Sequence, residues 1–256
     1  PYALLDGPND RYHDVFVSRL PAADPSQLAR HLSRLVAYER WALPAADGGG
    51  WCTRASGVAG DENIGNLGLL DYEVMDLMRG DLLACGYSQV DRVYDIGPGQ
   101  RAQLGDLLAA WNAGRGVVCY LGHGFRQSWK TTGLAALHFA QGQIGSPALP
   151  FVLSAACHTG NFAGGTDCLA EAMIKAGSLE VPAGAVGAVA STSAMDWDPP
   201  IVMSQAFVAA LAYRTSFDAG GMTFVTAASD RAAGALAFNA VQRAVDFCLA
   251  TPLEGD

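Results

Sequence analysis

The chain has 256 residues, enough for one large domain or two small ones and for a sizeable buried core. Half of the residues are apolar and 16% are charged, a globular composition that excludes a disordered chain. The net charge of −9 argues against nucleic acid or an anionic membrane as a partner, and names no partner of its own.

No apolar run approaches the roughly 20 residues that a spanning helix needs. The chain begins at Pro1 and shows no signal-peptide pattern. Cys52, Cys85, Cys119, Cys157, Cys168 and Cys248 form no C-x-x-C pair, so neither metal-ligand spacing nor a disulfide framework is present. Cys52 and Cys119 fall in strand-like runs and read as buried thiols; cysteine usage leaves the redox compartment open.

The pattern alternates strand and helix. Asp24-Pro25 reads as an N-cap followed by Pro in the first turn, and Leu28, Leu32, Leu35 and Val36 then share one helical face. Trp51 to about Ala59 reads as a strand ending in a loop rich in Gly, Asp and Asn; the preceding 45–50 stretch reads as a surface loop. Val74, Leu77, Met78, Leu82 and Leu83 mark a second amphipathic helix, closed by Gly86. A short strand over Val90–Tyr94 and a helix from about Arg101 to Trp111 follow. Three unbroken apolar runs come next: Val117–Leu121, stopping at Gly122-His123-Gly124; Phe151–Ala156, stopping at Cys157; and Ala185–Ala190, stopping at Ser191-Thr192-Ser193. Such runs, separated by helices, predict a parallel sheet buried on both faces, an α/β fold. Ligands of these sheets bind beyond the carboxyl ends of the strands, where the three polar clusters lie.

If the first and second of these runs are neighbouring strands, His123 and Cys157 emerge at one edge. A thiol needs a base or a cationic neighbour to become a nucleophile at neutral pH, and a histidine can serve as that base and later protonate a leaving amine. The flanking glycines let a backbone N–H beside the histidine approach a substrate carbonyl. By the residues alone, a buried cysteine and a loop histidine explain the pair equally well. His13, His31 and His138 read as surface or packing residues. His158, next to Cys157, is a poor base, because adjacent residues on a turn rarely face each other.

The motifs also carry a resemblance. Tyr120-Leu121-Gly122-His123-Gly124 with Ser128-Trp129 resembles the histidine motif of the gingipain family of bacterial cysteine peptidases. The run from Phe151 through Cys157 to Phe162, continued by Cys168-Leu169-Ala170-Glu171-Ala172, resembles that family's nucleophile motif. Ala190-Ser191-Thr192-Ser193 with Trp197 is similar to the following strand and its aromatic loop. The segment Val15 to Ala22, with Tyr38-Glu39, is similar to the opening of the catalytic subdomain. The resemblance runs from about residue 12 to 215.

It implies a three-layer caspase–hemoglobinase-like fold, with residues 1–256 as a single catalytic domain taken from a longer protein. It further implies a cysteine endopeptidase that cleaves after Arg or Lys through a thioester acyl-enzyme. Cys157 is then the nucleophile, His123 the acid/base, and the N–H groups of Gly124 and Cys157 the oxyanion hole. A glutamate that orients the histidine maps to Glu62, with Asp61 as rival; another alignment puts Val58 there and leaves a dyad. The acid on the floor of the primary specificity pocket maps to Asp71, which also reads as the N-cap of its helix. Trp197 walls that pocket, where an aromatic face can hold the stem of a basic side chain. Leu121 stands where the family more often has a small polar residue and makes the pocket more apolar. Asp196 and Asp198 flank Trp197 and offer a second direction for a basic group.

The resemblance implies no required cofactor; structural calcium occurs in the family, and Asp61, Glu62 and Asn63 are a weak candidate cluster for it. The expected partners are protein or peptide substrates, with neither nucleic acid nor a membrane span and with the oligomeric state unread. The expected location is secreted, cell-surface or periplasmic. The competing reading is a catalytically weak or inactive caspase-like binding module.

Overall fold

A computed structural model describes residues 5–7, 9–15, 17–40, 48–62, 68–178, 180–226 and 233–251. Phe16, Asn63 and positions 45–47 of the expected surface loop lie outside the described residues.

Asp24 opens the first helix, α1 (Pro25–Glu39), with its carboxylate accepting from the Gln27 N–H at 2.9 Å. One 3₁₀ turn over Gly50–Thr53 then leads into β1 (Arg54–Ala59). Trp51 and Cys52 therefore belong to a turn, and the strand expected from Trp51 starts at Arg54. Next come α2 (Asp71–Ala84), β2 (Gln89–Tyr94), α3 (Leu104–Asn112) and β3 (Val117–Leu121). A small hairpin of β4 (Gly124–Phe125) and β5 (Ser128–Trp129) precedes α4 (Ala136–Ala140), β6 (Phe151–Ala155), α5 (Leu169–Lys175) and β7 (Gly187–Ala190). The chain then forms α6 (Asp198–Leu211), a second hairpin of β8 (Ser216–Ala219) and β9 (Met222–Val225), and α7 (Ala233–Ala250).

The expected parallel sheet is present, with five strands in the order β2-β1-β3-β6-β7. Its strands alternate between two apolar cores. Ala55, Ala59, Val117, Cys119, Leu121, Leu153 and Ala155 pack on the face covered by α2, α6 and α7. Val58, Val118, Tyr120 and Val152 point to the opposite face, among residues of α3, α4 and α5. Burial on both faces is why these strands read as unbroken apolar runs. The result is the three-layer caspase–hemoglobinase-like architecture. Among the described residues, no helix is long and apolar enough to cross a membrane.

Two helix expectations change. On α1, Leu28, Leu32 and Val36 face solvent, while His31 and Arg34 are buried. Arg34 supplies the reason: its guanidinium donates to the carbonyls of Ile174 and Ala176 at 2.7 and 3.1 Å and to those of Ala183 and Ala185 at 2.7 and 3.3 Å. These acceptors anchor the helix by its polar side, and burial lowers the Arg34 pKa to about 10. His31 assists by donating from Nε2 to the Pro21 carbonyl at 2.8 Å. On α2, Leu77 is exposed although Val74, Met78 and Leu82 are buried.

Candidate active site

β3 and β6 are hydrogen-bonded neighbours in register Leu121↔Ala155, so His123 and Cys157 each lie two residues beyond a paired position. Both side chains therefore leave the sheet at one edge. The two strand ends are held by a shared aromatic and polar set. Tyr120 and Trp129 stack with ring centroids 4.4 Å apart. The Tyr120 hydroxyl donates to the His123 carbonyl at 2.6 Å. Trp129 donates from Nε1 to Ser154 Oγ at 2.9 Å, Ser154 meets Thr159 Oγ1 at 3.0 Å, and Thr159 donates to the Ala156 carbonyl at 3.2 Å. This buried chain ties the histidine turn to the cysteine turn, which is the physical content of the Ser128-Trp129 motif.

The glycines beside His123 have separate reasons. Gly122 has φ +151, and a Cβ there would come within 2.8 Å of the Tyr120 hydroxyl. A Cβ on Gly124 would meet Ala156 Cβ and the Cys157 carbonyl oxygen at 2.7 Å each. Gly124 thus lets β4 lie directly against the Cys157 turn. On that turn, His158 has φ +60 and donates from its amide to the Ser193 carbonyl at 2.9 Å, while the Gly160 amide donates to the Ser191 carbonyl at 2.7 Å. The cysteine turn is therefore pinned to the segment after β7.

Glu62 follows β1. The Gly60 N–H donates to the Leu121 carbonyl at 3.0 Å, and the Glu62 carbonyl accepts from the Asp71 N–H at 3.1 Å. A Cβ on Gly60 would collide with the Glu62 carboxylate, so the glycine makes room for it. Glu62 Oε1 lies 3.5 Å from His123 Nε2, and the same oxygen lies 3.5 Å from Lys130 Nζ. The rival Asp61 faces Arg101 at 3.5 Å. Val58 is buried in the core, and Glu62, not Val58, meets the histidine. Of the candidate calcium cluster, Asp61 faces Arg101, Glu62 faces His123 and Lys130, and Asn63 lies outside the described residues. Among the described residues, no group of three or more His, Cys, Asp or Glu side chains could hold a metal ion.

Asp71 is not the N-cap. Leu70 occupies that position, its amide donating to the Glu73 side chain at 2.8 Å, and Asp71 is the first residue of α2. Asp71 is 1% exposed and accepts from Trp197 Nε1 at 3.0 Å, leaving Oδ2 buried without a hydrogen-bond partner. Burial raises its pKa to about 7; the indole bond opposes the rise and the Glu62 charge adds to it. Trp197 also meets the His123 ring edge-on, with centroids 4.9 Å apart. One indole therefore spans the histidine and the buried acid.

A cleft opens beside Cys157, lined by Asp71, Leu121, Met195, Asp196, Trp197 and Ile201 among others. Asp198 is absent from this lining and is buried in the first turn of α6, so of the two flanking acids only Asp196 faces the cleft. Sequence reasoning missed Met195, whose N–H donates to Cys157 Sγ at 3.4 Å. It also missed Lys130 and Gly60. A backbone donor carries no residue-type signal, whereas Lys130 directly follows the Ser128-Trp129 motif and was open to inspection.

Cysteine and histidine at neighbouring ends of a parallel three-layer sheet define the caspase–hemoglobinase-like α/β class. Within that class, the chain belongs to peptidase family C25, whose family model matches residues 1–245. It is similar to gingipain R2 of Porphyromonas gingivalis, 29% identical over 195 residues, covering 75% of this chain and 25% of that protein. Gingipain R1 of the same organism is 29% identical over 195 residues, covering 75% of this chain and 19% of that protein. Among solved structures, the Arg-specific cysteine proteinase gingipain R superimposes with a TM-score of 0.78 at 24% identity, over 94% of this chain and 52% of that one. The chain thus spans a quarter or less of these curated relatives and about half of that solved chain.

Proposed function

We propose that the chain is a cysteine endopeptidase that hydrolyses peptide bonds after a basic residue, Arg above Lys. The observation that carries the reading is the pairing of a thiol and an imidazole at adjacent strand ends, beside a cleft whose buried carboxyl has one unpartnered oxygen. In this reading Cys157 Sγ attacks the scissile carbonyl carbon, and the N–H groups of Gly124 and Cys157 hold the developing oxyanion. With Nε2 turned to Glu62, the Nδ1 side of His123 takes the thiol proton and returns it to the leaving amine. A thioester remains on Cys157. Water, deprotonated by the same imidazole, then releases the carboxylic acid and restores the thiol.

The basic side chain enters the cleft along Leu121 and the Trp197 ring and meets Asp71. A guanidinium can offer two donors to a carboxylate, whereas an ammonium offers a point charge, which favours Arg. Gingipain R is described as Arg-specific, and the placing of Asp71 and Trp197 along the cleft suits the same preference. This reading also carries the expectation of a secreted or surface protein.

The test compares peptides that differ only before the scissile bond. Preferential cleavage after Arg supports the reading; equal cleavage after Arg, Lys and Leu removes basic specificity. A second reading, a binding module without turnover, draws on the thiol's contacts with the Met195 backbone, at 3.4 Å to its nitrogen and 3.8 Å to its oxygen. Thiol labelling separates the two, because an activated Cys157 must alkylate faster than the exposed Cys248.

A further inference from the structure

Lys130 directly follows β5 and touches the candidate histidine–glutamate pair twice. Its backbone N–H donates to the His123 carbonyl at 3.0 Å. Its Nζ lies 3.5 Å from Glu62 Oε1, the oxygen that also faces His123 Nε2. Glu62 is its one acidic partner among the described residues. We propose that Lys130 is a positioning residue that sets the direction and the effective charge of the Glu62 carboxylate toward His123. This inference rests on the reading of Glu62 and His123 given above.

The physical argument concerns how one carboxylate oxygen is shared. A carboxylate alone beside an imidazole favours the imidazolium form. A cation on the same oxygen offsets part of that field and repels the imidazolium directly. Both effects ease return of the histidine to its neutral form, which the thiol needs as proton acceptor. The contact also sets Oε1 between the His123 and Lys130 nitrogens, each at 3.5 Å, while the carboxylate packs over Gly60. The remaining groups around His123 are few. Trp197 presents a neutral ring, Asp71 lies behind that indole, Asp61 is turned to Arg101, and Cys157 follows β6. Among the described residues, Lys130 is thus the one cationic side chain that meets Glu62 besides the histidine itself.

The experiment compares the parent with Lys130→Met, Lys130→Arg and Glu62→Gln. The readouts are the pH titration of the His123 ring resonance by NMR and the pH profile of kcat/KM on an Arg peptide. The Lys130 side chain is 56% exposed, so its replacement leaves the core untouched. We expect Lys130→Met to move the His123 midpoint up, with the matching limb of kcat/KM following. Lys130→Arg keeps the parent profile, and Glu62→Gln moves the midpoint down. If Lys130→Met leaves the midpoint in place or lowers it while Glu62→Gln shifts it, the role of Lys130 is overturned and Glu62 stands. If neither variant shifts it, the Glu62 reading falls and takes this inference with it.

Discussion

Asp71 joins two properties: it is buried where it lines the cleft, and one of its oxygens has no donor. Its pKa is raised from 3.8 to about 7, so the folded state binds a proton that the unfolded state releases. The stabilising contribution is therefore full below the unfolded value and is lost as pH rises through about 7. Asp71→Asn removes that loss. Denaturant unfolding at pH 5 and pH 8 is expected to show the variant gaining on the parent by about 2 kcal/mol at the higher pH; parallel pH dependences would contradict the burial argument. The same titration couples to substrate. On the proposed reading a guanidinium stabilises the carboxylate, so KM for an Arg peptide is expected to fall as pH rises through this range, and Asp71→Asn is expected to lose both the fall and any Arg preference. If the Asp71→Asn variant keeps that preference, Asp196, the other acid lining the cleft, becomes the leading contact. At Cys157, the proposed nucleophile, replacement by Ala is expected to abolish hydrolysis with unchanged thermal unfolding, and undiminished turnover would dismiss the assignment. Cys119, by contrast, is buried in β3 with its pKa pushed up to about 12, so labelling near neutral pH should pass it by.

At the scale of elements, β3 and β6 were legible because each has a face in two cores, and the result is an apolar run that ends abruptly at a polar turn. Helix faces were less legible. The apolar spacing of α1 predicts burial of Leu28, Leu32 and Val36, yet the Arg34 guanidinium and its four carbonyl acceptors fix the opposite face inward. Periodicity records that a helix has two faces and does not record which one meets a strong acceptor set. Leu32→Lys is accordingly expected to change stability by no more than about 0.5 kcal/mol, whereas Arg34→Ala leaves buried carbonyls without donors and costs about 3 kcal/mol. Denaturant unfolding of both variants checks the pair of values, and a reversed order would restore the apolar-face reading. The β4 hairpin offers a tighter constraint. Gly124→Ala places a methyl group against Ala156 and the Cys157 carbonyl, both at 2.7 Å from the new Cβ. A stability loss of about 1–3 kcal/mol is expected, together with a fall in kcat/KM. Unchanged activity would show that β4 need not lie so close to the nucleophile.

Across the whole molecule, the site is assembled from segments far apart in the chain. Glu62 follows β1, Asp71 starts α2, His123 follows β3, Cys157 follows β6 and Trp197 precedes α6. Sheet order brings them together: β3 lies between β1 and β6, so the acid, the imidazole and the thiol follow three consecutive strands of the sheet. The parallel arrangement sends all three turns to one edge, where α2 and α6 close the cleft from one side.

The alternation of apolar runs and helical periods was enough to determine an α/β parallel sheet; the polar stops after its runs made His123 and Cys157 candidates, and the motif resemblance chose them. These features are local, because burial on both faces and a turn at a strand end each leave a mark within a few consecutive residues. The motif resemblance already favoured Glu62 over Asp61; the contact of Glu62 with His123, the placing of Asp71 inside its helix, the turning of Asp198 away from the cleft and the contacts of Lys130 and Met195 were decided by the tertiary structure. Each depends on where a partner far away in the chain, or a turn of different length, sets a charge or a backbone amide in space. Residue type constrains what a side chain can bind; the packing of distant elements decides which partner it meets.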